Sequence, residues 1–220
     1  MEFSKHELAR QLYDVAISLV ESGRTEIAED TYQLALQLDP HDFQSITNMA
    51  VIIDKSGRLE EAEGLYLKAA DFPFYDALAM YNLGYLYGRT ERKALSETWY
   101  RRTLVAKPDH FEAMVNLASL EQELHNNVAG AKQLLESALQ IDPRDSIAIM
   151  ELANIYQLDG DLFLAEMLYF KAVDCEPYSP LTNYNLASFL EEKGESEVAK
   201  HFFDLAYSLD PEGKLKKGAF

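Results

Sequence analysis

Five histidines, one cysteine, several runs of carboxylates and a set of evenly spaced asparagines are the residues of this 220-residue chain whose chemistry could be put to use. A metal centre needs ligands that converge. His6, His41, His110, His125 and His201 are scattered, and none stands at a helical ligand spacing from another histidine or from Cys175, so neither a metal site nor a cofactor is expected. Paired carboxylates could drive hydrolysis, but Glu60, Glu61 and Glu63, like Glu191 and Glu192, lie where helices start or turn. Carboxylates gather there for helix-dipole and solubility reasons. With no converging set of acid, base and nucleophile, no catalytic residue is expected and the chain reads as a non-enzyme. The asparagines are different: Asn48, Asn82, Asn116 and Asn185 recur at one position of a repeating pattern. A primary amide offers donor and acceptor together, so one per repeat could hold a peptide backbone without reading its side chains. Solvated amides kept by the common descent of the repeats would give the same spacing.

The elements that must position these amides follow from the period. Pro143 to Pro177 and Pro177 to Pro211 are 34 residues each, Pro40 to Pro108 is twice that with Pro73 one place early between them, and Pro108 to Pro143 is 35. Units of 20–50 residues that repeat in phase are stacked supersecondary structures, not one folded sphere. The units run 9–42, 43–76, 77–110, 111–145, 146–179 and 180–213, with one extra residue near Asn126 and Asn127. The eighth position holds Ala16, Ala50, Gly84, Ala118, Ala153 and Ala187, always small, as close helix approach requires. In the second half a small residue (Ala28, Ala62, Ser96, Ala131, Ala165, Ala199) comes four before a large one (Tyr32, Tyr66, Tyr100, Leu135, Tyr169, Phe203). Another small residue follows three later, and i, i+4, i+7 is one helix face. Between the halves, Gly23, Gly57, Gly160 and Gly194 suit a left-handed helix end, and Asn126 or Asn127 could serve in the fourth unit. Cys175 falls in series with Leu38, Phe72, Ala106, Ile141 and Leu209, so it reads as a small hydrophobe and not a nucleophile.

The ends need separate treatment, because a terminal repeat lacks one neighbour. Residues 1–8 read as an extension of the first helix, which Ser4 and Glu7 would start as a capping box. Residues 214–220, KLKKGAF, form a short basic tail. In the last helix Val198, Phe202, Leu205 and Leu209 make an apolar stripe, and the site of Leu205 holds Lys68, Arg102, Ser137 and Lys171 in internal repeats. Phe202, Leu205 and Leu209 are therefore candidates for self-association.

The period, the small-residue positions, the aromatic of the second helix and the closing proline resemble the tetratricopeptide repeat (TPR) family over about 205 of the 220 residues. The resemblance implies an all-α fold, a right-handed α-solenoid of six helix-turn-helix units, and a concave groove lined by first helices where partner segments bind, extended or helical. The groove would hold Asn48, Tyr81, Asn82, Tyr85, Val115, Asn116, Met150, Asn154, Tyr184 and Asn185, with Tyr13, Ile147 and Leu181 beside them. The four recurring asparagines are similar to the asparagine ladder of the O-GlcNAc transferase repeats at those positions alone. The family's carboxylate clamp for chaperone tails wants basic groups where this chain has Tyr13, Leu78 and Asn82, and is not expected.

Charge narrows the partners. With 20 Lys+Arg against 37 Asp+Glu the formal charge is −17, which repels nucleic acid and anionic lipid and favours neutral or basic protein segments. No window has the roughly 18 apolar residues a membrane span needs, and with one cysteine and no signal-like start the chain is expected in the cytoplasm. Only the third repeat is net basic, through Arg89, Arg92, Lys93, Arg101, Arg102 and Lys107. The leading expectation is an interaction scaffold or adaptor. A block that self-associates through its last helix and basic third repeat is the alternative, as is the repeat module of a longer enzyme or assembly factor.

Overall fold

The computed structural model describes residues 4–71, 77–211, 213 and 215. Pro73 and Phe72, the first three residues of the 1–8 extension and the basic tail apart from Leu215 lie outside the described residues. Among the described residues all regular structure is helical, in twelve helices that form six hairpins, an all-α helical-repeat solenoid. They fall into two compact units that meet in sequence at Pro108 and Asp109, at the end of the third repeat.

The first unit contains α1 (Lys5–Glu21), α2 (Thr25–Leu38), α3 (Phe43–Lys55), α4 (Leu59–Ala70), α5 (Ala77–Arg89) and α6 (Lys93–Ala106). The second contains α7 (Phe111–His125), α8 (Val128–Ile141), α9 (Ser146–Leu158), α10 (Leu162–Cys175), α11 (Pro180–Glu192) and α12 (Ser196–Ser208). Within each unit every helix packs on the next, and alternate helices also touch: α3 on α5, α7 on α9 and α9 on α11. The cause is visible in the small residues. Ala16, Ala28, Ala50, Ala62, Ala153, Ala165, Ala187 and Ala199 are completely buried, so one helix can lie against the next with a tyrosine or leucine filling the gap they leave. Tyr32, Tyr66 and Leu135 are each 1% exposed.

Local chemistry sets the ends. Ser4 Oγ accepts from Glu7 N at 3.2 Å while Glu7 Oε2 accepts from Ser4 N at 2.7 Å, the reciprocal pair that starts α1 at Lys5. The recurring Asp-Pro is a turn with a function: Asp39 Oδ1 accepts from His41 N and Asp142 Oδ1 from Arg144 N, and three residues after each, Asp42 and Asp145 cap α3 and α9.

Every hairpin turn has one residue with positive φ. Gly23, Gly57, Gly160 and Gly194 lie at 77° to 89°, Asn126 at 49°, and in the third repeat, where the sequence offers no glycine, Glu91 takes the position at 59°. An L-residue with a Cβ is held there against its preference. Glu91 is well exposed, with only Lys93 Nζ at 3.5 Å from its carboxylate. Glu91→Gly is expected to stabilise the protein by about 1 kcal/mol, raising Tm by roughly 2–4 °C in thermal unfolding; an unchanged or lower Tm would show that this turn is unstrained.

Candidate partner-binding site

In the first unit the candidate residues lie on α3 and α5. On α5, Tyr81 and Tyr85 are one turn apart and stack, centroids 6.5 Å apart at 21°. Tyr85 is 47% exposed, as is Leu78 at 46%. Asn82 lies between them in the helix, half-buried, and its Nδ2 has no hydrogen-bond partner among the described residues. Its counterpart in α3 is engaged: Asn48 Nδ2 donates to Tyr13 Oη at 3.3 Å, and the Asn48 side chain also hydrogen-bonds Tyr32, whose hydroxyl burial pushes up to about 12. Asn48 forms part of the wall of a cavity of about 760 Å³, with Ile17, Val20, Tyr32, Val51 and Arg58 around it. Arg58 is fixed there by a two-pronged ion pair to Glu29 (2.9–3.0 Å) and a second to Glu61 (2.7 Å). Sequence reasoning missed Ile17, Val20, Val51 and Arg58, since apolar residues and one arginine at helical spacing carry no signal of a cavity until α1, α2 and α3 are assembled.

In the second unit the amides are used more heavily by the protein itself. Asn154 Oδ1 and Gln157 Oε1 both lie within hydrogen-bond reach of Tyr169 Oη, and Asn185 Nδ2 is 3.4 Å from Met150 Sδ. Asn116 is half-buried and also engaged. Tyr184 sits edge-on to Phe203 at 5.3 Å and to Tyr207 at 6.2 Å, while Ile147 is 52% exposed. Two expectations need correction: Val115 and Met150 do not line open surface, being 8% and 4% exposed. Met150 packs with Ile149, Ala172 and Leu181, because α9 lies between α7 and α11 and its fifth position is covered by the neighbouring helices. Glu151, which takes the asparagine position in this repeat, is half-buried, and burial raises its carboxyl above the usual range. No hydrogen bond or ion pair from the described residues offsets this, so burial favours the neutral acid, and a cation brought beside it would favour the charged form.

The remaining candidates are placed as follows. Phe202, Leu205 and Leu209 are half-buried, and the Leu215 amide donates to Asp210 Oδ2 at 2.8 Å beside that end, so the last helix is less bare than its composition implies. The cations of the third repeat are largely spoken for: Arg89 pairs with Asp54, Arg92 with Glu63 at 2.9 Å and Arg101 with Glu97 at 2.9 Å, while Arg102 lies over the Trp99 ring. Asp54 and Glu63 of the preceding repeat thus already neutralise part of the basic third repeat. Among the described residues no three of His, Cys, Asp and Glu converge in a way that could hold a metal. Cys175 packs beside Ile149, Met150 and Ala172. No described helix is long and apolar enough to cross a membrane.

Two family models, both described as tetratricopeptide repeat, match the chain, one over residues 13–76 and the other over residues 77–110 and 182–212. Protein CTR9 homolog of Arabidopsis thaliana is 28% identical over 109 residues, 47% of this chain; the chain spans about a tenth of the length of that relative. Among solved structures it is similar to PilF of Pseudomonas aeruginosa, with a TM-score of 0.77 at 16% identity over 99% of this chain and 96% of that one. It is also similar to YrrB, described as a TPR protein with an unusual peptide-binding site, with a TM-score of 0.66 at 21% identity over 86% and 96% of the two chains. These two likenesses are of fold. Tetratricopeptide repeats are protein–protein interaction modules and in general not catalytic ones. The matched stretches make up more than half of the sequence, and small and large residues alternate in all six hairpins: the chain belongs to the tetratricopeptide repeat family.

Proposed function

We propose that the protein is an adaptor that holds an extended segment of a partner protein against the first helices of its repeats. The observation that carries this reading is on α5: Tyr85 and Leu78 are each nearly half exposed, Tyr81 stacks on Tyr85, and the adjacent Asn82 has a buried amide nitrogen without a partner among the described residues. Tyrosine contributes large contact area with little entropy to lose, and the Asn82 amide, buried and unpaired as it stands, gains a hydrogen bond by turning outward to a backbone carbonyl. The neighbouring α3 adds the cavity beside Asn48, whose volume of about 760 Å³ is several times that of a single apolar side chain. YrrB, similar in fold, is described as binding peptide, which is the same use of such repeats. In the second unit Glu151 favours segments that carry lysine or arginine, as does the overall charge of −17.

The test is selection of peptides from a displayed random library on the immobilised full chain, followed by affinity measurement. Selected peptides should be apolar and neutral to basic, and Tyr85→Ala together with Asn82→Ala should raise Kd by about 10- to 100-fold, the scale of a lost tyrosine anchor and one hydrogen bond. Tight, saturable peptides that bind this double variant as well as the parent would refute the site.

A further inference from the structure

The outward face of α10 breaks the pattern of the helices around it. Its inner stripe, Ala165, Tyr169 and Ala172, is buried at i, i+4, i+7. The opposite stripe has the same spacing and is also apolar: Phe163, Met167 and Phe170 are 70%, 54% and 38% exposed. The repeat itself does not demand this. The equivalent positions are Ala129, Gln133 and Glu136 in α8, and Glu197, His201 and Asp204 in α12, all exposed. A surface helix of a solenoid that is apolar on both sides has a second face to cover. The stripe continues onto α12, where Phe202 meets Phe170 edge-on at 6.1 Å and Val198, a turn earlier, is 44% exposed.

We propose that this face of α10 and α12 is the contact between two copies of the chain, packed about a two-fold axis. The rim identifies the occupant. Glu166 is neutralised by Lys193 at 2.7 Å, which leaves Lys171 and Asp174, of opposite sign and one turn apart, neither in an ion pair with a described residue. Such a rim is neutral and self-complementary: a two-fold partner brings the Lys171 of one copy towards the Asp174 of the other, as an isologous contact does. A strongly basic or acidic partner would find no matching charge there. The area agrees. At roughly 150–250 Å² per large side chain, the open parts of Phe163, Met167, Phe170, Val198 and Phe202 come to about 400 Å². That is close to the apolar share of an interface of about 800 Å² per partner.

Because each copy carries a formal charge of −17, long-range repulsion opposes the contact, and salt relieves it. This separates the proposal from capture of a basic partner, which salt would weaken. Sedimentation of the full chain over a concentration series up to about 0.5 mM should show a reversible monomer–dimer equilibrium that tightens several-fold between about 0.05 and about 0.5 M NaCl. Met167→Lys and Phe163→Glu, both on exposed positions and so neutral to folding by circular dichroism, should each weaken the dimer at least about tenfold. Val105→Glu, at a site 81% exposed on α6, should leave it unchanged. A monomer at every concentration and salt would overturn the proposal, as would a dimer that survives Met167→Lys or one that only Leu205→Glu disrupts. Peptide binding at α5 is read separately, so either result leaves the groove reading to its own test.

Discussion

Tyr66→Ala will destabilise the protein by about 3–5 kcal/mol, a large part of the roughly 5–15 kcal/mol by which a domain is ordinarily stable. The ring is 1% exposed within a cluster that includes Ala50, Ala62, Ala69 and Leu83, all without exposed surface. Those alanines have no side chain left to move into the void, so the site cannot collapse and most of the cavity persists. Trp99 is the single tryptophan, 8% exposed and part of the same cluster, so its fluorescence reports this unit directly. In urea the midpoint followed by Trp99 should fall steeply for Tyr66→Ala and stay within about 1 kcal/mol of the parent for Tyr66→Phe, which keeps the ring. Equal losses in the two variants would mean that the hydroxyl and not the ring's volume matters.

Gly84→Leu is expected to cost about 3 kcal/mol or more, and even Gly84→Ala a net 1–2 kcal/mol or so. This is the opposite sign to the gain of about 1 kcal/mol that alanine brings to a helix interior. A Cβ on Gly84 would lie 2.6 Å from Cδ1 and Cε1 of Tyr100. That ring cannot simply swing away, since it packs against Tyr81 at 5.8 Å, and Tyr81 in turn stacks on Tyr85. The helices cannot part either without breaking the bond from Ser96 Oγ to the Gly84 carbonyl, 2.7 Å and buried. Alanine stands opposite tyrosine in the first, second and fifth repeats (Ala16 and Tyr32, Ala50 and Tyr66, Ala153 and Tyr169), so the clash belongs to the place of the Tyr100 ring in the third. The fourth repeat offers a smaller pairing, Ala118 with Leu135. Gly84→Ala combined with Tyr100→Leu should therefore couple favourably by about 1–2 kcal/mol in a double-mutant cycle. Additive effects would show that ring and glycine are independent. Because the strain passes through Tyr81, Gly84→Ala should also weaken any peptide held at α5.

Much of this architecture could be read from local residue types. The 34-residue period, the alanines and the tyrosines specify that each segment is a helix and which of its faces is buried, and all of those alanines are buried. Ser4 with Glu7 marks the start of α1, and the turn glycines mark where α1, α3, α9 and α11 stop. Such signals act within one or two turns of chain, so they survive without knowledge of neighbours. The third turn is the exception that shows the rule: Glu91 enters the left-handed region because the hairpin on either side demands it, against its own preference.

The candidate site was legible only as a list of positions. Asn48 and Asn82 share a repeat position, yet one amide is satisfied by Tyr13 and the other has no described partner, which depends on the residue opposite and not on the period. Met150 and Val115 looked like groove residues by register, but contacts between alternate first helices bury them. The third repeat looked like a free basic patch until Asp54 and Glu63 of the preceding repeat were found against Arg89 and Arg92. By itself, then, the sequence determined the repeat, its helices, its turns and the net negative charge, because each follows from short-range propensity or from composition. Only the tertiary structure decided which polar groups are already satisfied, where a cavity opens and which apolar face of α10 stays uncovered. These are properties of surfaces brought together from residues about 30 positions apart, and no local pattern encodes what the opposing surface will supply.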